Sequence, residues 1–125
     1  MNESILIVED RMDNAEMIGH VLGYHQIVVT IVPTAEQALD VLQHLQPAAI
    51  IIDLHLPRMD GWSLLKRIRE LEVAQSTVVV AITAYDDHGV DEEALKAGFD
   101  AYFAKPLQPI EFANALMEMV RAAQE

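Results

Sequence analysis

The chain has no cysteine. That excludes disulfides and thiolate metal sites, and it suits a cytoplasmic location. Positive charge is scarce: eight Lys and Arg stand against twenty Asp and Glu, a formal net charge of -12. The eight are scattered, so there is no basic cluster of the kind that grips phosphates, and no nucleic-acid partner is expected for this chain. No apolar stretch approaches the ~20 residues that cross a bilayer, so no membrane partner is expected either. The opening Met-Asn-Glu-Ser has no basic segment ahead of its apolar run and does not read as a signal peptide. Internal repeats, linkers and low-complexity segments are also missing.

What is present is a hydrophobic content of 52% in 125 residues, enough for one compact domain spanning residues 1–125. The excess acid serves solubility, and position decides whether part of it gathers around a cation.

Apolar runs alternate with helically spaced ones. Ser4–Val8 reads as a buried strand that ends in Glu9 and Asp10. Asn14–Tyr24 carries Met17, Ile18, Val21 and Leu22 at helical spacing. Gln26–Val32 is β-branched and reads as a second strand. Thr34-x-x-Gln37 matches a capping box, and the helix it opens turns Ala38, Leu39, Leu42 and Leu45 inward until Pro47 ends it. Ala48–Asp53 is the third strand, and its loop runs to Asp60-Gly61. Trp62–Leu71 is a helix with Leu64, Leu65 and Ile68 inward and Lys66, Arg67 and Arg69 mostly outward. Thr77–Thr83 is the fourth strand; a polar loop and a short helix to about Ala97 follow, stopped by Gly98. Ala101–Ala104 is a fifth strand and Pro109–Ala123 the last helix. Five strands alternating with five helices predict a doubly wound parallel α/β sheet with helices on both faces.

The stretch that organises the rest is Ile50–Pro57, where Asp53 closes an Ile-rich strand. A carboxylate belongs in such a strand only at its carboxyl end, which is where ligands bind in open α/β sheets. The first strand presents Glu9 and Asp10 at that edge, the fourth Thr83, and the fifth leads to Lys105. If the first and third strands are neighbours, three carboxylates meet, and their repulsion calls for a cation. Oxygen donors favour a hard divalent ion, Mg2+. A carboxylate, Mg2+, an ammonium and a hydroxyl together suit phosphoryl transfer, with Asp53 as nucleophile forming an acyl phosphate.

Taken singly, each residue has a plainer reading. Glu9 and Asp10 make an ordinary polar strand end, with Asp13 or Asn14 as a helix cap. Thr83 is a β-former, and Lys105 a surface lysine, one of three in the chain. Tyr102 fits a core position as well as a moving one. A side-chain metal ligand at His55 lacks a second histidine at suitable spacing; His20, His25, His44 and His88 read as surface or loop residues. Met12, Ala15 and Met59 suit an apolar rim near the site, or loop-anchoring packing. The grouping, rather than any one residue, carries the metal and phosphoryl reading.

Four stretches resemble the receiver domain of bacterial two-component response regulators: I-L-I-V-E-D-R-M-D-N (5–14), I-I-I-D-L-H-L-P-R-M-D-G (50–61), V-A-I-T-A (80–84) and A-G-F-D-A-Y-F-A-K-P (97–106). The match they mark covers nearly the whole chain, in order and at family spacing. The resemblance implies a flavodoxin-like receiver fold with strand order 2-1-3-4-5. It implies Asp53 as phosphoacceptor, Asp10 as direct Mg2+ ligand, Glu9 reaching the metal through water, and the His55 backbone carbonyl completing the protein's ligands. Thr83 and Lys105 would contact phosphoryl oxygens, and Tyr102 would turn inward as Thr83 moves. The Lys105-Pro106 bond is usually cis in the family. His55 and Tyr85 stand at positions that tune phosphoryl lifetime, and their bulk would restrict the attacking water.

Partners follow from the same resemblance. A sensor histidine kinase or histidine phosphotransfer domain would donate the phosphoryl group. A downstream protein or a separate output domain would read the switch, and the face of the fourth helix, fifth strand and fifth helix would serve output or homodimerisation. On that face Phe112, Leu116 and Val120 read as core. Two other functions compete. An aspartyl phosphatase of the haloacid-dehalogenase class needs a second aspartate two residues after the nucleophile, where this chain has His55. A phosphorylation-independent interaction module commonly lacks one of the acids or the lysine, all of which are present here. The expectation is therefore a signalling phosphoacceptor and not a dedicated enzyme.

Overall fold

Five short apolar runs form one sheet: β1 (Ser4–Val8), β2 (Val28–Val32), β3 (Ala49–Asp53), β4 (Val78–Thr83) and β5 (Ala101–Ala104). Between and after them run α1 (Met12–Gly23), α2 (Ala35–Val41), α3 (Gly61–Arg69), α4 (Val90–Ala97) and α5 (Pro109–Ala123). The computed structural model describes residues 4–23, 26–71, 76–84 and 89–124. All strand pairs are parallel and the order is β2-β1-β3-β4-β5, as expected.

Alternation along each strand sorts the core into two layers. Leu6, Val8, Ile50, Ile52, Val79 and Ala81 face α2, α3 and α4, where they meet Ala38, Leu64, Leu65, Ile68 and Ala94. Ile5, Ile7, Ile51, Val80 and Ile82 face α1 and α5, where they meet Ala15, Ile18, Leu22, Phe112, Leu116 and Val120. β1, β3 and β4 are thus covered on both faces, which is why they read as unbroken apolar runs. Ala15 lies in the α1–α5 layer of the core, and Met59 packs half-buried against the other layer; of the suggested apolar rim only Met12 stands exposed.

The helix starts obey local chemistry. Thr34 Oγ1 accepts the Gln37 amide at 3.1 Å, the expected cap of α2. Asp60 Oδ1 accepts the Ser63 amide at 2.8 Å and caps α3. Gly61 is required for close packing: a Cβ there would lie 2.7 Å from Asp53 O and 2.8 Å from Leu54 Cα. The first turn of α3 therefore presses directly on the end of β3. Gly98 closes α4 with φ 117°, a left-handed cap suited to glycine.

Among the differences from expectation, two boundaries and one exposure have a visible local cause. β2 begins at Val28, because Gln26 adopts φ 60° in a turn that returns its amide to Gly23 O. α2 ends at Val41, where the amides of Gln43 and His44 switch to i→i+3 bonds on Asp40 and Val41. Arg69, expected mostly outward, is half-buried at the end of α3. No helix among the described residues is long and apolar enough to cross a membrane.

Candidate functional site

Parallel strands share one carboxyl edge, and the site is built there. β1 pairs with β3, so Glu9 and Asp10 emerge beside Asp53. The Glu9 amide donates to Val32 O at 3.0 Å, which carries the ladder one residue past β1 and fixes the Glu9 backbone. On the other side Asp53 pairs with Ile82, which sets Thr83 at the neighbouring strand end. Thr83 in turn pairs with Ala104, and its carbonyl accepts the Lys105 amide at 2.8 Å. Backbone hydrogen bonds thus position Glu9, Asp53, Thr83 and Lys105 through one continuous ladder. The Lys105-Pro106 peptide is cis.

Ligand oxygens of Glu9, Asp10 and Asp53 lie within 4.8 Å of one another. Glu9 and Asp53 are buried, whereas Asp10 is exposed, so the group opens to solvent on the Asp10 side. Lys105 Nζ donates to Glu9 Oε1 and, at 3.0 Å, to Asp53 Oδ2. The other Asp53 oxygen, Oδ1, accepts the His55 amide at 2.9 Å. The Arg11 amide donates to Glu9 Oε2 at 3.4 Å.

Burial pushes the Glu9 carboxyl up from 4.5 to about 7. Its hydrogen bond to Asp53 and the Asp53 charge act in the same direction, and Lys105 opposes them. Burial works against the Lys105 ammonium too, but hydrogen bonds to Glu9 and Asp53, with their charges, outweigh it and hold its pKa above the ordinary value. Three carboxylates thus face one ammonium, and the surplus negative charge suits a cation arriving from solution.

The predicted residues come together with two qualifications. Tyr102 is half-buried, pairs with Ala81 and packs against the α2–α3 layer of the core, with β4 lying between it and the strand of Asp53. Tyr85 lies outside the described residues, as do His25 and His88. One contact escaped the sequence: the His55 ring, expected only to add bulk, places Nδ1 3.1 Å from Thr83 Oγ1. Its spacing of 28 residues leaves no local signal. The tight approach of Gly61 was also missed, although Asp60-Gly61 stood out as a turn.

Residues 5–117 match the response regulator receiver domain family. Response regulator Rre1 of Synechocystis sp. is 32% identical over 123 residues, and the chain spans about half of its length, 53%. A crystal structure of a putative response regulator from Chloroflexus aurantiacus superposes with a TM-score of 0.90 at 30% identity, covering 97% of this chain and 99% of that one. The receiver domain of the sensor histidine kinase PA1611 from Pseudomonas aeruginosa superposes with a TM-score of 0.87 at 31% identity over the same shares. That crystal structure has a magnesium ion coordinated in its active-site cleft.

The chain belongs to the response regulator receiver domain family of two-component signalling. Receiver domains bind Mg2+ at an acidic pocket and interact with histidine kinases or phosphotransfer domains, and the Glu9–Asp10–Asp53 cluster is compatible with such a pocket.

Proposed function

We propose that residues 1–125 form one receiver domain that takes a phosphoryl group onto Asp53 from a phosphohistidine of a sensor kinase or phosphotransfer domain. The observation that carries this is the placing of Asp53: a buried carboxylate at a strand end, each oxygen held by one donor, beside two further acids and an ammonium. An Asp53 oxygen attacks phosphorus, a P–O bond forms, and the P–N bond to the donor imidazole breaks. Lys105 meets the growing charge on a phosphoryl oxygen. Thr83 donates its hydroxyl to another. The His55 amide keeps the carboxylate oriented.

The all-oxygen donor set of Glu9, Asp10, Asp53 and the His55 carbonyl fits Mg2+; Asp10 would bind it directly and Glu9 would reach it through water. Bound there, Mg2+ supplies charge neutralisation for the transferred group. The magnesium in the PA1611 receiver domain supports this choice of ion.

Movement of Thr83 towards the phosphoryl group, with Tyr102 turning inward, shifts an inactive–active equilibrium that a downstream protein or an output domain reads. The face of α4, β5 and α5 serves that contact or pairing between two copies. His55 and Tyr85 shield the acyl phosphate from water and lengthen its life. The domain acts in the cytoplasm as a signalling phosphoacceptor and not as a dedicated enzyme, since it catalyses only its own phosphorylation and dephosphorylation.

Intact mass after incubation with acetyl phosphate tests the reading. One added phosphoryl group is expected, dependent on Mg2+ and absent from Asp53→Asn. An adduct that persists in Asp53→Asn overturns the assignment. If the wild type forms no adduct and binds no beryllofluoride, a phosphorylation-independent interaction module replaces it.

A further inference from the structure

His55 touches both halves of the site. Its amide donates to Asp53 Oδ1 at 2.9 Å, and its ring Nδ1 stands 3.1 Å from Thr83 Oγ1. Thr83 is fully buried and His55 exposed, so the ring reaches from the surface to a hydroxyl at the end of β4. A threonine hydroxyl has one proton to donate. A phosphoryl group offers acceptor oxygens only. A hydroxyl that donates to an imidazole nitrogen must therefore leave it before it can donate to a phosphoryl oxygen.

We propose that His55 is a positioning residue, a latch that holds the Thr83 hydroxyl in the resting site and competes for its proton with the phosphoryl group on Asp53. In the latched state Thr83 Oγ1 donates to Nδ1, and the ring proton sits on Nε2. Occupation of Asp53 then exchanges one hydrogen bond for another instead of gaining one outright, which holds the population in the resting conformation. The inference rests on the phosphoacceptor reading. It extends the shielding role of the His55 side chain to control of the switch itself.

Beryllofluoride also offers acceptors only, so its affinity for the full chain with Mg2+, measured by titration calorimetry, reads the exchange. His55→Phe keeps a ring but removes the nitrogen, and leaves the backbone amide and carbonyl in place. It is expected to bind beryllofluoride roughly five-fold more tightly than wild type, the equivalent of one ordinary hydrogen bond. His55→Asn sets an amide oxygen near the place of Nδ1 and is expected to stay within about two-fold of wild type. In a Thr83→Ala background His55→Phe is expected to add nothing, because no hydroxyl remains to be released. Unchanged or weaker binding by His55→Phe overturns the latch, as does an equal gain in the Thr83→Ala background. A wild type that binds no beryllofluoride at all overturns the phosphoacceptor reading, and the latch with it; a wild type that binds while His55→Phe shows no gain overturns the latch alone.

Discussion

At the carboxyl edge of the sheet, among the described residues, three carboxylates meet one ammonium; at the opposite edge Arg69 is paired with Asp100. Arg69 leaves the end of α3 and donates to Thr77 O at 3.2 Å, Gly98 O at 3.0 Å and Asp100 Oδ2 at 3.2 Å. The same Asp100 oxygen accepts the buried Val79 amide at 2.8 Å. This second group ties α3 to the starts of β4 and β5, and among the described residues its cation meets its anion within the chain. Its side chains are partly exposed, so the ion pair itself adds little and the backbone bonds carry the stability. Balanced charge closes a structure, whereas surplus charge in a buried cluster leaves work for a ligand.

The contrast can be tested from both sides. The largest effect is expected from Asp53→Asn, which should abolish the phosphoryl adduct while leaving stability equal to or above wild type, because it removes one of three clustered acids. A clear loss of stability by chemical denaturation would mean that the carboxyl-edge cluster is structural after all. Asp100→Ala should do the reverse. It strands the Val79 amide and should cost about 1–3 kcal/mol in urea unfolding while the adduct still forms. A next, smaller effect concerns the metal. At ten times its dissociation constant Mg2+ should stabilise the wild type by roughly 1.4 kcal/mol, and Asp10→Asn should lose most of that thermal shift. An equal shift in both proteins would take Asp10 out of the ligand set.

A further effect is a pH dependence of the metal-free chain. Glu9 titrates near 7 when folded against 4.5 in its ordinary state, because burial favours its neutral form. A raised folded pKa gives a contribution fully present below 4.5 and lost as pH rises through about 7. In EDTA the wild type should therefore lose stability relative to Glu9→Gln between those values. Parallel melting curves across the window would show that the Glu9 carboxyl ionises freely.

Much of this was legible before folding. β5, α5 and β1 fall on their predicted bounds, and Thr34 and Asp60-Gly61 mark real helix starts. These are local signals: apolar runs, caps and turns that depend on a few neighbouring residues. β2 was misjudged at Gln26 because its side chain gives no hint of φ 60°. Arg69 was misjudged because its partners come from Thr77, Gly98 and Asp100, on other elements.

The sequence by itself determined the parallel α/β class, through the spacing of its apolar residues, and the gathering of Glu9, Asp10, Asp53, Thr83 and Lys105 at one edge, through their places at strand ends. Only the tertiary structure decided which atoms meet. Lys105 bridges Glu9 and Asp53 across 96 and 52 residues of chain, and His55 reaches Thr83 across 28. Strand register and side-chain reach set those distances, and both exist only once the sheet has assembled and the core has fixed each strand against its neighbour.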